Sequence, residues 1–116
     1  MTEDETKEGM LETLGSLSRN ENVDGYIFKP TRHSYKTAKT YIRALYPSDQ
    51  DFPQPEIDPD GLGGIELQWN RGARTLILGC RPNRNQKDFI YYQDGQHEVM
   101  EASPLDLKER LTWLIS

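Results

Sequence analysis

Strict alternation over residues 65–69 constrains the fold of this chain more than any other feature. Ile65, Leu67 and Trp69 alternate with Glu66 and Gln68. Successive side chains of a strand point to opposite faces of a sheet, so this pattern predicts a β-strand with one apolar face. A strand of this kind requires neighbouring strands, and its apolar face must be covered by other elements.

Turn signals on the C-terminal side of this strand predict an antiparallel meander. Residues 70–73 predict a hairpin into an apolar strand over 75–80, and Asp94-Gly95 predicts another hairpin after the strand 89–92. The returning strand would contain His97. Since short hairpin loops imply antiparallel pairing, the sequence predicts a meander of three to four strands.

Three segments carry the apolar spacing of amphipathic helices. Their apolar residues are Met10, Leu11, Leu14 and Leu17 in the first, Tyr35, Ala38, Tyr41, Ile42 and Leu45 in the second, and Leu107, Leu111 and Leu114 in the third. Thr31 is predicted to cap the start of the second helix, which should end before Pro47. Ser103 followed by Pro104 predicts the start of the third.

These elements predict an α+β domain that spans residues 1–116. Two N-terminal helices precede the antiparallel meander, a C-terminal helix follows it, and the helices are expected on one face of the sheet. Ile57 lies among prolines and is predicted to anchor at most a short edge strand. Residues 1–6 are polar and are predicted to form a disordered tail.

The sequence predicts no catalytic residues, no metal ligands and no cofactor. His33 and His97 are far apart and lack a third ligand. Cys80, the single cysteine, cannot form an internal disulfide and has no base beside it in the sequence. The glycine-rich turn over 60–64 precedes a strand, whereas phosphate-binding loops lead into helices.

Charge is segregated along a chain whose formal net charge is −5. Residues 25–46 and 71–87 hold basic but no acidic side chains, and the three remaining blocks are acidic. Overall acidity disfavours nucleic-acid binding by the whole molecule. No apolar run approaches a membrane span and no signal peptide core is present, so the expected location is the cytoplasm.

Two surfaces are candidates for binding a partner. The first is basic: helix 32–43 with Arg32, Lys36, Lys39 and Arg43, and loop 71–87 with Arg71, Arg74, Arg81, Arg84 and Lys87. These side chains could contact phosphates or an acidic protein surface. The alternative, which the pattern favours, is a solvated helix face with solvated loop tips.

The second candidate is an apolar patch on the strands. An outward-facing Tyr92 beside Ile77 and Ile90 would be exposed to a partner. The alternative is that segment 47–59 folds over that face and covers it.

The chain also resembles a family of small uncharacterised bacterial proteins. Asn22-Val23-Asp24-Gly25-Tyr26 resembles the family's Asn-Trp-Asp-Gly-Tyr-Gly-Ala motif, and 63–69 resembles its Asp-Gly-Gly-Ile-x-Leu-Glu-Trp strand. Val23 stands where the family has tryptophan, and Gln68 where it has glutamate. The resemblance covers residues 11–93 and supports the α+β fold. It implies an antitoxin-like, phage or mobile-element setting.

From the residues, we expect a non-catalytic module that binds a protein partner, as an inhibitor, antitoxin or immunity protein does. The alternative is a nucleic-acid-binding accessory protein that uses helix 32–43 and loop 71–87. A membrane partner is not expected.

Overall fold

A computed structural model describes residues 3–19, 29–46 and 52–116 of the chain. Its elements are α1 (Glu3–Arg19), α2 (Arg32–Leu45), β1 (Glu56–Pro59), β2 (Ile65–Arg71), β3 (Arg74–Cys80), β4 (Phe89–Asp94), β5 (Gln96–Glu101) and α3 (Pro104–Ile115). The predicted turn at 22–26, residues 47–51 and the side chain of Leu17 lie outside this description. Helix α1 takes in residues 3–6, where the sequence predicted a tail.

The five strands form one antiparallel sheet in the order β1-β2-β3-β4-β5. The predicted α+β class with three helices is therefore confirmed, whereas the predicted count of three to four strands is wrong. The additional strand is β1, the short edge strand predicted around Ile57, which pairs with Leu67. Because β1 is an edge strand, the ladder tolerates Pro59 within it and Pro55 immediately before it.

Alternation in β2 sets the position of the core. Ile65, Leu67 and Trp69 are buried, and the register places Leu78 across from Leu67 and Leu76 across from Trp69. Each helix adds side chains to the same apolar cluster, namely Met10 and Leu14 from α1, Ala38, Tyr41, Ile42 and Leu45 from α2, and Leu107, Leu111 and Leu114 from α3. Burial of this apolar surface is the main stabilising contribution to the fold.

Both predicted helix starts are confirmed. The hydroxyl oxygen of Thr31 accepts a hydrogen bond from the Ser34 amide at 3.1 Å and caps α2. The Ser103 hydroxyl accepts from the Asp106 amide at 3.1 Å, and Pro104 occupies the first turn of α3. These bonds satisfy amide groups that have no partner within the helix.

The start of α2 is tied to two loops at one end of the sheet. The Thr31 amide donates to the Gly63 carbonyl at 2.8 Å, and the Thr31 hydroxyl donates to the Pro82 carbonyl at 2.6 Å. Gly63 has a φ of +93°, which favours glycine. One oxygen of the Asp60 carboxylate accepts from the amides of Leu62 and Gly64, so this predicted turn is confirmed and its carboxylate is engaged in holding it.

Candidate functional site

The strand residues that alternate with the core residues form a second face of the sheet. This second face consists of Glu56, Asp58, Glu66, Gln68, Asn70, Thr75, Ile77, Gly79, Phe89, Tyr91, Gln93, His97, Val99 and Glu101. Apart from Gly79, all of these residues are half-buried or exposed. The two faces therefore differ sharply in burial, although the same five strands supply both.

The predicted patch of Ile77, Ile90 and Tyr92 does not exist, because these residues lie on different faces. Ile90 is fully buried in the core, where it pairs with Leu78. Tyr92 lies on the same side as Ile90, with its ring edge-on to Trp113 at 5.7 Å between centroids. Only Ile77 lies on the second face, since its partner across the ladder is Tyr91 rather than Tyr92.

The second face instead carries a different apolar cluster, here called the aromatic patch: Ile77, Phe89, Tyr91 and Val99. Ile77, Tyr91 and Val99 are direct neighbours in one row across β3, β4 and β5. Val99 is 63% exposed, which makes it one of the most exposed large apolar side chains in the described part of the chain. An exposed contiguous apolar cluster with aromatic members is typical of a surface that binds a partner.

Phe89 lies flat against the sheet because its neighbour in β3 is a glycine. A Cβ atom added to Gly79 would be 2.1 Å from the Phe89 ring, so no other residue leaves room for this ring position. The guanidinium of Arg81 lies 5.3 Å from the centroid of the Phe89 ring. The ring is thus held between the sheet backbone and a cation, within a row that Glu101 completes on β5.

Acidic side chains border the aromatic patch. Asp58, Glu66 and Glu101 belong to the same cross-strand row as Phe89. Partial burial, followed by the nearby charges of Asp60 and Asp58, raises the pKa of Glu66 above its ordinary value. Negative charge thus borders the patch on both sides, with Asp58 and Glu66 towards β1 and Glu101 on β5, which favours a partner with basic groups around an apolar centre.

The basic residues of α2 border a groove of about 640 Å³. Lys29, Pro30, Arg32, Tyr35, Lys36 and Lys39 line it. Four of these six residues are cationic and none is acidic. Lys39 places its ammonium group 5.6 Å from the centroid of the Tyr35 ring. Arg43, the last of the predicted basic stripe, is exposed on α2 but does not line this groove.

The predicted basic loop 71–87 is not one loop. Seven of its residues form β3, so Arg71 lies at one end of the sheet and Arg84 at the other, about 20 Å apart at ~3.3 Å per residue. The end that holds Arg84 is also the end where Thr31 bonds Pro82, beside the start of α2. Arg71 and Arg84 were both predicted to contact a partner, but only Arg84 therefore lies near the basic groove.

Arg74, at the hairpin end of the sheet with Arg71, has a structural role. Its guanidinium donates to the Trp113 carbonyl at 2.6 Å, forms an ion pair with Asp94 at 3.2 Å and lies 5.0 Å from the Trp113 ring centroid. The carbonyl of Trp113 is in the last turn of α3, where a cation is favourable. Arg74 thus fastens α3 to the β2–β3 hairpin and is engaged within the chain.

Two further ionisable groups, Cys80 and Tyr41, are buried. Cys80 is 1% exposed, and burial raises the pKa of its thiol well above the ordinary range, which keeps it protonated. Burial also raises the pKa of Tyr41 to about 12. Among the side chains that the structure describes, no three of His, Cys, Asp or Glu are grouped so that they could hold a metal ion.

Sequence reasoning missed Phe89, Tyr91 and Val99 as surface residues and Lys29 and Tyr35 as groove residues. The signal for the first three was present in the parity of each strand. Ile90 pairs with Leu78, and Leu78 with Leu67, so counting from the core alternation of β2 would have assigned Ile90 to the core. That count needs the β3–β4 register, which an eight-residue connection over 81–88 does not specify.

Within the described part of the chain, no helix is long and apolar enough to cross a membrane. Comparison with known proteins yields no match: no protein-family model, no curated protein sequence and no solved structure matches this chain. The second face with its aromatic patch and the basic groove are the two candidate binding surfaces of the described residues.

Proposed function

We propose that this chain is a non-catalytic protein-binding module of the cytoplasm, which acts by occupying a partner as an inhibitor, antitoxin or immunity protein does. The observation that carries the proposal is the aromatic patch on the second face of the sheet. Ile77, Tyr91 and Val99 are adjacent there, in the middle of the sheet and towards its β5 edge.

The helices leave this patch available. Each of the three helices contributes its buried side chains to the cluster that contains Leu67 and Leu78, on the opposite face. Helices α2 and α3 contact β2 and β3, while α1 contacts α2 and β1. We infer from this arrangement that all three helices pack on one face and that the second face is the docking surface.

The charge pattern defines the class of partner. The apolar centre would bury apolar or aromatic side chains of the partner, whereas Glu66 and Glu101 would attract basic groups at its rim. Arg81 is held over the Phe89 ring and remains as a cation within the surface. A partner with an apolar protrusion flanked by lysine or arginine fits this pattern.

The test is capture of partners from the native host by the tagged protein, after nuclease treatment. Ile77→Asp and Tyr91→Asp place a charge in the aromatic patch. Leu105→Asp makes the same type of change at a side chain that is 66% exposed in the first turn of α3, away from this face. The wild type and Leu105→Asp should recover one protein at fixed stoichiometry, and the two patch variants should lose it.

If all variants recover that protein, the binding site does not lie on the second face. If the wild type captures no stoichiometric protein, the proposed function is wrong. Circular dichroism and thermal unfolding of the four proteins ensure that lost capture is not caused by lost folding.

A second candidate function is binding of single-stranded nucleic acid, and the basic groove favours it. Lys29, Arg32, Lys36 and Lys39 surround Tyr35 without an acidic neighbour in the lining. Cations that follow a phosphate backbone, together with an aromatic ring, are the usual components of such a surface. The acidic remainder of the molecule opposes this function.

Salt dependence of oligonucleotide binding tests the second candidate. Lys36→Glu should weaken binding and make the slope of log K against log salt shallower by about 1, because one phosphate contact is lost. Arg43→Glu is the matched control, since it reverses a charge on the same helix outside the groove. Equal effects of the two variants, or no retention at low salt, would eliminate this candidate.

A further inference from the structure

The β5 edge of the sheet carries a regular set of outward backbone groups. The Ala102 amide donates to the Asp88 carbonyl at 3.0 Å, which identifies 88 and 102 as a hydrogen-bonded pair of the β4–β5 ladder. Bonded and non-bonded pairs alternate along an antiparallel ladder. Ile90–Met100 and Tyr92–Glu98 are therefore the next bonded pairs, given their register.

The residues between these pairs direct their backbone groups away from β4. They are His97, Val99 and Glu101, and all three are exposed. No other strand in the described sheet lies beyond β5. Three consecutive outward N–H and C=O pairs form a template for an additional antiparallel strand.

We propose that a second copy of this chain binds here, with β5 of one copy antiparallel to β5 of the other and Val99 at the two-fold axis. In this register Val99 lies opposite Val99 of the second copy. His97 lies opposite Glu101 of the second copy, and the symmetry repeats that contact on the other side. All six outward N–H and C=O groups of each copy are then paired.

Strand parity and the pairing of side chains favour the register centred on Val99 over the two nearest alternative registers. Residues directly opposite must share a face, so the two strands can shift only so that residues of equal parity meet. A shift towards the start of β5 centres the contact on Glu98, which would then oppose Glu98 of the second copy. A shift towards its end centres on Met100 and leaves His97 beyond the partner strand. Only the register centred on Val99 opposes His97 with Glu101.

Within each copy, neighbouring side chains leave His97 and Glu101 positioned and available for these contacts with the second copy. The His97 ring stacks on Tyr91 with 5.8 Å between centroids and 22° between planes, which fixes the ring on the second face. The present partner of Glu101 is Lys87 at 3.5 Å, and both side chains are largely exposed. Such a pair contributes little, so Glu101 can accept a hydrogen bond from His97 of the second copy at small cost.

The assembly would join two five-stranded sheets into one of ten strands. The two copies of Val99 would meet at its centre with Tyr91 on either side, so the two aromatic patches become one continuous surface across the dimer axis. Closed two-fold symmetry also removes the free β5 edge, which would otherwise invite open-ended association. This inference goes beyond the proposed function, since it concerns the purified chain alone.

The molar mass of the purified protein tests the inference directly. Sedimentation equilibrium over a wide concentration range should show association from 13.4 kDa to twice that mass and no further. Val99→Pro should raise the dimer Kd by at least about tenfold. Because the Val99 amide points away from β4, this variant keeps every bond of its own ladder and should remain folded.

A charge exchange tests the register in a protein whose backbone is unchanged. His97→Glu places two like-charged pairs in the interface and should raise the Kd on the order of tenfold. Adding Glu101→Lys to it replaces these pairs with oppositely charged ones and should return the Kd to within about threefold of the wild type. Lys108→Gln, on the exposed side of α3, makes the same change in formal net charge as His97→Glu and should leave the Kd unchanged.

Hydrogen exchange tests the proposed strand pairing at the level of single amides. The amides of His97, Val99 and Glu101 should become protected as concentration rises, while those of Glu98 and Met100 are protected throughout. A monomer at all concentrations, a dimer insensitive to Val99→Pro, or failure of the charge exchange to restore binding would each overturn the proposal. None of these measurements involves a host partner, so this proposal and the proposed function can fail separately.

Discussion

The two faces of the sheet are made by the same five strands, yet the side chains on them differ in burial and in the contacts that fix their positions. On one face Trp69 is 1% exposed, and its indole N–H donates to the Pro53 carbonyl at 3.0 Å. On the other, the neighbouring Gln68 is half-buried, and its side-chain amide donates to the side-chain oxygen of Asn70 at 3.3 Å. The first face supplies most of the energy of folding, whereas exposed positions of the second face, such as Glu56 and Val99, can change with little effect on stability. A binding surface can therefore be built there without destabilising the domain.

Phe89 and Ile90 show the same contrast within two consecutive residues. Ile90 is fully buried among apolar neighbours. Phe89 is held on the second face by the absence of a side chain at Gly79 and by the guanidinium of Arg81. One position is determined by core packing and the other by a local fit that leaves part of the ring exposed.

The largest effect that separates the two faces is expected at Trp69. Trp69→Ala should lower the free energy of unfolding by about 3–5 kcal/mol, because it leaves a cavity and removes one hydrogen bond to the Pro53 carbonyl, which also accepts from the Tyr46 hydroxyl at 3.0 Å. Gln68→Ala, on the second face of the same strand, should change it by less than about 0.5 kcal/mol. Chemical denaturation followed by circular dichroism measures both values.

Trp69→Phe separates the two contributions, since it keeps most of the buried ring and removes the N–H donor. Its expected cost is intermediate between those of Trp69→Ala and Gln68→Ala. Comparable losses for Trp69→Ala and Gln68→Ala would show that the second face is also covered, which would contradict the distinction between the faces.

Most of the covered face could be predicted from the sequence. Alternation over 65–69 identified β2, and helical spacing identified the buried side of α3 through Leu107, Leu111 and Leu114. Caps such as Thr31 followed from local chemistry, because a hydroxyl that bonds a nearby amide requires no distant contact. The strand β1 was harder to identify, since it has only four residues and its pairing depends on β2.

The second face could not be predicted to the same depth. Its composition depends on the register between β3 and β4, which the connection over 81–88 sets only once the loop has folded. An error of one residue in the register exchanges every side chain between the faces. The sequence-based prediction that Tyr92, rather than Tyr91, faces outward beside Ile77 is an error of this kind. The basic groove depends on the position of α2, which long-range bonds from Thr31 to Gly63 and Pro82 determine.

An intermediate effect is expected at Arg74, which extends the covered face to the end of α3. Arg74→Ala removes the ion pair with Asp94 and the bond to the Trp113 carbonyl. Since the ion pair is partly exposed and worth little, most of the expected loss of about 1–2 kcal/mol comes from the helix end. Arg71→Ala is the control, because Arg71 pairs with Arg74 in the hairpin and is exposed. Thermal unfolding should distinguish them, and equal melting temperatures would refute the role of Arg74.

The smallest effect is expected at Glu66, whose raised pKa reflects partial burial and the charges of Asp60 and Asp58. A carboxyl whose pKa is higher in the folded state destabilises that state when ionised, so the penalty is complete at neutral pH. This penalty declines as pH falls through the folded-state pKa and disappears below the ordinary pKa of glutamate.

Glu66→Gln should thus stabilise the protein by a few tenths of a kcal/mol at neutral pH and by nothing in acid, after allowance for solvent screening. Glu56→Gln, an exposed change on the same face, is the control for the loss of one negative charge. Urea unfolding of the three proteins between neutral pH and pH ~3 tests this, and a gain from Glu66→Gln that persists in acid would show that burial of the side chain, rather than its charge, is responsible.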